Sequence, residues 1–194
     1  SYLVGIPLGV LLFITDKKGI CPCRILNWIL GVIVNLTRSI PFIILLIAIL
    51  PFTRLVAGTT IGTNATVVPL VVAAIPFIAR MVESSLKEVD YGVIEAAQAM
   101  GSGNFQIIWK VLLPEARPSL FVGCTIAFAT LLGYSAMAGF TGGGGLGAIA
   151  INYGYYRYKA GIMWATVLVL VLIVQIFQEL GMFIANKTDK RIRN

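Results

Sequence analysis

Residues 87–118 read KEVDYGVIEAAQAMGSGNFQIIWKVLLPEARP, a polar stretch set between two long apolar runs. Phe105, Ile108, Trp109 and Leu112 fall at i, i+3, i+4 and i+7, which predicts a helix with a single apolar stripe. Ile94, Ala97 and Gly101 make a shorter stripe of smaller residues. Between the two, Gly101-Ser102-Gly103-Asn104 predicts a break, because glycine readily takes the left-handed conformation that ends a helix. The stretch therefore reads as two short helices across a bend. Ala96, Ala97 and Ala99 would leave backbone near the surface, and Pro114 would stop the second helix before the next apolar run. Two uses fit this pattern: a hairpin packed on its own bundle, and a surface on which a partner docks.

The rest of the chain decides where such a stretch can live. Of 194 residues, 58% are hydrophobic and only 12% charged, and the mean hydropathy is +0.92. That balance lies well outside soluble averages and marks an integral membrane protein. A net charge of +7 without a block of basic residues fits cations spread through cytoplasmic loops, and disfavours a nucleic-acid binder. There is no histidine, and Cys21, Cys23 and Cys124 do not form a metal-binding pattern, so a zinc site is not expected. With Cys21 and Cys23 facing a reducing cytoplasm, free thiols are expected.

Five apolar segments can be read in order. The first, SYLVGIPLGVLLFI, has no basic flank or cleavage site of a signal peptide and is short for a span, so it reads as the second half of a helix whose start precedes Ser1. Segment two runs from Leu26 to about Phe52 as one long span, with Arg38 inside it and Pro41 marking a kink or a helix start. Arg38 is read as snorkelling or pairing in preference to a transport role. A polar connection, Thr53 to Asn64, leads to segment three, Ala65 to about Ser85. There Pro69, Ala73, Pro76 and Arg80 share one stripe suited to tight packing or to a path. Segment four spans about Ser119 to Phe140 and segment five Gly161 to Ala185.

Basic residues test the topology. Lys17, Lys18, Arg24, Lys87, Lys110, Arg117, Lys187, Lys190, Arg191 and Arg193 would lie inside, against Arg54, Arg157 and Lys159 outside. This predicts an external N-terminus, five spans and a cytoplasmic C-terminus. Absence of an internal repeat disfavours inverted-repeat carriers, and acidic residues that lie almost all in loops or near helix ends weaken an ion-coupled carrier or channel.

Within the spans, Thr130, Tyr134, Met137 and Thr141 form a stripe of hydroxyls, a ring and a thioether. It suits a substrate path or plain packing between helices. Gly142-x-Gly144-x-x-Gly147 matches a dinucleotide fingerprint only formally. It lacks the acidic residue about 20 positions on, and reads as an irregular turn at the external mouth.

Glu95-Ala96-Ala97, Gly101 and then Val111-x-Leu113-Pro114 resemble, in type and spacing, the EAA loop of ABC importer permeases, with Val111 in place of isoleucine. LTRSIPFIILL, PFIARMVE, KVLLPEA and LLGYSAMAG together resemble the methionine-type permeases of that superfamily. The resemblance implies an all-α, five-transmembrane-helix type I importer fold, one domain over residues 1–194, in a bacterial inner membrane. It implies that Glu95, Ala96, Ala97, Gly101, Val111, Leu113 and Pro114 couple to the ATPase. Tyr134 and Met137 would stand where the path narrows, with Thr130 and Ser135 beside them. It further implies a homodimer, two cytoplasmic ATPases that carry the ATP and Mg, and an extracytoplasmic methionine-binding protein. No cofactor or catalysis is expected in this chain itself, which has no G-x-x-x-x-G-K-[ST]. A permease for another amino acid or small solute is the nearest rival.

Overall fold

The structure, a computed structural model, describes residues 1–188, and all regular structure among them is helical. The tail residues Asp189, Lys190, Arg191 and Arg193 lie outside the described residues.

One helix organises the rest. α5 (Thr63–Lys87) packs against α1 (Tyr2–Ile14), α2 (Arg24–Ser39), α3 (Phe42–Ala48), α4 (Leu50–Ala57) and α9 (Arg117–Met137). Pro69 and Pro76 are both buried inside α5, so the expected stripe is mainly a packing surface. α11 (Ala160–Thr188) closes on α9, where Gly181 sits directly over the Thr125 side chain and the rings of Phe128 and Phe177 lie 4.5 Å apart.

Three helical stretches among the described residues are long and apolar enough to cross a membrane: α5, Arg117–Thr141 and α11. α2 and α3 pass that test together, but they meet at 102°. Segment two is therefore not one straight span; it breaks at Pro41, where a kink or a helix start was expected. Pro41 has no N–H to donate and restricts its predecessor, so Ile40 is extended at φ −78°, ψ 123°, and a new helix starts at Phe42. The polar connection also begins later than expected, at Gly58, because Leu50–Ala57 is helical and buries Thr53. α1 is helical from Tyr2, but its 13 residues rise only about 20 Å, short of the roughly 30 Å hydrocarbon core.

α1 docks on α5 through Gly5 and Gly9, a small-x-x-x-small pair that lets two backbones approach closely. A Cβ on Gly9 would stand 2.6 Å from the Ala79 carbonyl oxygen and 2.6 Å from Val82 Cβ. Gly9→Val is accordingly expected to destabilise the protein by about 1–3 kcal/mol, the usual cost of overpacking a tight contact. The check is the thermal inactivation temperature of the detergent-purified protein, and an unchanged value would contradict this packing.

Candidate functional site

The 87–118 stretch folds as two helical pieces across a bend, with α6 (Tyr91–Ala99) as the first. The Asp90 carboxylate caps it, accepting a hydrogen bond from the Gly92 N–H at 2.7 Å. Gly101 makes the turn at φ +77°, and Ser102 N–H closes back on the Ala97 carbonyl at 3.1 Å. The second piece starts with α7 (Asn104–Gln106), runs as a π-helix over Ile107–Leu112 and ends with α8 (Leu113–Glu115).

The apolar stripe differs from the one read in the sequence. Ile107 and Leu112 are fully buried, whereas Phe105 and Trp109 are 76% and 65% exposed. A π-helix bonds i to i+5, so positions five apart come to share a face and the 3.6-residue periodicity fails. Pro114 does not stop the helix. It stands in the first turn of α8, where a missing N–H costs nothing, and the break falls at Ala116. Val111, Leu113 and Pro114 are half-buried.

On α6, Ile94 and Ala97 are buried in one cluster with Leu86, Val89, Ile107, Leu112 and Ala116. Ala97 is thus part of the anchoring face, not of the surface as expected. Glu95, Ala96, Gln98, Ala99 and Met100 point outward. Both readings of the stretch are therefore present at once: one face packs on the bundle, and the other is a small-residue surface beside a carboxylate.

A charge network holds this end of the bundle together. The Lys87 ammonium lies 2.8 Å from both Asp16 Oδ2 and Glu83 Oε1, and Arg80 pairs with the other oxygen of Glu83. Arg80 Nη2 also donates to Asn35 Oδ1 at 2.8 Å, which carries the chain of contacts from the loop after α1, through α5, to α2. The loop's Cys21 accepts from Asn104 Nδ2 at 2.9 Å. Cys21 and Cys23 are free and exposed. The spacing of Arg80, Glu83 and Lys87 was legible as helical ion pairs. Asp16 and Asn35, distant in sequence, were not.

At the other end, the residues read as a path do not act alike. Tyr134 stacks on Phe42 with ring centroids 4.7 Å apart and planes 2° from parallel. Met137 is 46% exposed. The hydroxyls of Thr130, Ser135 and Thr141 donate to the carbonyls of Ile126, Leu132 and Ala138 at 2.8, 2.8 and 3.0 Å, so each is spent on its own helical segment. The glycine run makes an irregular turn, with Gly142, Gly144 and Gly145 at φ near +74°. It leads into helical turns, α10 (Gly145–Ile149) and a π-helix over Ala150–Tyr155, in the connection between segments four and five.

Residues 5–194 match the model of a family described as "binding-protein-dependent transport system inner membrane component". The chain belongs to that family. This transport component is similar to a probable D-methionine transport system permease protein of Vibrio cholerae, at 52% identity over 98% of this chain and 85% of the relative. It is also similar to the methionine import system permease protein of Bacillus subtilis, at 44% identity over 93% of this chain and 82% of that one. Its fold superposes on an inward-facing structure of the MetNI methionine ABC transporter with a TM-score of 0.95, at 48% identity, covering 97% of this chain and 88% of that one. An amino acid ABC transporter crystallised with histidines, at 19% identity and a TM-score of 0.72, shares the fold. As a permease subunit of an ABC importer, the component is a multi-pass membrane protein that catalyses no reaction itself, and nucleotide belongs to a partner ATPase.

The Lys87 hydrogen bond is the main reason the Asp16 carboxyl is held below its ordinary value, with burial opposing it and the Lys17 N–H adding to it. Because the folded value is the lower one, the stabilisation is complete above the unfolded pKa of about 3.9 and is lost as pH falls through the folded value. Asp16→Asn should therefore lower the thermal inactivation temperature at neutral pH, with the gap to wild type closing below about pH 4. A gap that persists unchanged in acid would show that Asp16 acts otherwise than through its charge.

Proposed function

We propose that this chain is the permease of a methionine importer. It would work as a homodimer with two cytoplasmic ATPases and an extracytoplasmic binding protein, and alternate its access as the ATPases close and reopen. The observation that carries the reading is the two-faced α6. Ile94 and Ala97 lock it into the bundle, while Glu95, Ala96 and Ala99 remain outside for a partner. A partner that displaces α6 must displace the bundle too. Gly101 sets the angle between α6 and the second piece, and Val111, Leu113 and Pro114 carry that piece towards α9 and Tyr134.

Methionine as cargo rests on the permeases named above, which are described as methionine or D-methionine systems. A homodimer would cover part of the apolar faces of α9 and α11, most of which are open in the single chain. An external N-terminus and cytoplasmic C-terminus are supported by three neighbours. The Lys17 loop touches Lys87, Cys21 touches Asn104, and Ala185 and Asn186 of α11 share a recess with Glu88 and Glu115. All of these gather at the coupling end, the basic side of the chain.

Gly101 has φ +77° and open space where a Cβ would go, so Gly101→Val strains the backbone, by roughly 1–3 kcal/mol, without a steric clash. Membrane insertion should survive while ATP-driven methionine uptake in proteoliposomes falls at least about tenfold, a loss equivalent to 1.4 kcal/mol of coupling. Uptake at the wild-type rate would count against the coupling role.

Met137→Trp places a larger, stiffer side chain at the proposed narrowing. The expected result is slowed methionine uptake with the ATPase still co-purifying. Unaffected uptake would remove Met137 from the path.

A further inference from the structure

We propose that Arg38 receives the carboxylate of the transported amino acid at the bend between α2 and α3. This rests on the reading that the cargo is methionine or a similar α-amino acid.

Arg38 stands one residue from the end of α2, about 21 Å along the helix axis from Arg24 at its start, and is exposed on the single chain; with α2 entering the membrane from its basic end, that rise sets Arg38 within a hydrocarbon core of roughly 30 Å. A cation at such depth is costly and is normally paired. The other deep arginine obeys this: Arg80 has Glu83 and Asn35. Arg38 has neither a carboxylate within ion-pair distance nor a hydrogen-bond acceptor among the described residues. Among the described residues it lies against the Phe77 ring, whose centroid is 5.7 Å from the guanidinium carbon. That contact orients the planar head and leaves its N–H donors unused.

Arg38 lines a cavity of about 110 Å³ at the 102° bend between α2 and α3. Phe42, Ala73, Phe77 and Tyr134 form its other walls, with Tyr134 and Phe42 stacked in parallel. Thr37 stands at the rim; its hydroxyl donates to the Ile33 carbonyl at 2.8 Å, which leaves the oxygen able to accept from an ammonium group. The recess thus offers a forked donor for a carboxylate, an acceptor for an α-ammonium and aromatic faces for an apolar or thioether side chain. It also abuts Tyr134, so cargo passing the proposed gate would pass within reach of Arg38.

Arg38 lies in the last turn of α2, where any cation complements the helix dipole. A lysine would serve that purpose equally. It would not supply the fork.

The test uses the full transporter, with its ATPase and binding protein, reconstituted in proteoliposomes as wild type, Arg38→Lys and Arg38→Met. Uptake of radiolabelled cargo and binding-protein-stimulated ATP hydrolysis are measured on the same vesicles. Expected are hydrolysis within about twofold of wild type in both variants, uptake reduced at least tenfold in Arg38→Met, and a clear deficit in Arg38→Lys. Wild-type uptake in Arg38→Met, or full function in Arg38→Lys, overturns the proposal. So does a parallel loss of hydrolysis and uptake in both variants, which would make Arg38 structural. The two readings fail separately: a wild-type complex that does not import methionine sinks methionine as cargo, and the Arg38 proposal falls with it only if the solute imported carries no carboxylate.

Discussion

Glu83 is a carboxylate at 4% exposure near the end of the central helix, and the end of the bundle that carries α6 is arranged around satisfying it. Removing a charge from water costs several kcal/mol unless close opposite charges and hydrogen bonds compensate. Arg80 and Lys87, one turn to either side, both reach it, and each also holds a partner from another element, Asn35 on α2 and Asp16 after α1. The pairing need of one buried group therefore fixes three parts of the chain relative to each other. α6 begins four residues beyond Lys87, so this clamp is the base from which the proposed coupling loop projects.

From that base the route to the other end is short and mostly helical. α6 is bound by Ile94 and Ala97, the second piece by Ile107 and Leu112, and α9 follows after the single non-helical residue Ala116. α9 carries Tyr134, which touches α3 through Phe42. Displacement of the loop thus has a covalent lever to α9 and a packed contact from α9 to the bent pair. The bend in turn makes room for the recess at Arg38.

Much of this was legible in residues 1–194. Apolar runs located α5, α9 and α11 within a few residues, and Gly101 announced the turn because the chain needs a positive φ there. The EAA spacing brought Glu95, Ala96, Ala97 and Gly101 together, though not their orientation. Burial of Ala97 depends on which side of α6 meets Leu86 and Val89, a tertiary fact. Phe105 and Trp109 were misplaced because a π-helix shifts the periodicity that any 3.6-residue reading assumes. Pro41 signalled an interruption, but the 102° turn follows from what α2 and α3 each pack against. Asp16 could not be paired with Lys87 from sequence, since nothing local links positions 71 residues apart.

The central claim is that the loop and the gate move together. Spin labels on Ser135→Cys, exposed near the end of α9, report the distance between the two copies of the proposed homodimer in the full transporter. A second pair on Ala99→Cys, exposed on α6, reports the coupling surfaces. Measured by pulsed electron paramagnetic resonance with nucleotide absent and with ATP trapped, both distances should shift between states, in opposite senses. A change at Ala99 with no change at Ser135 would contradict the account.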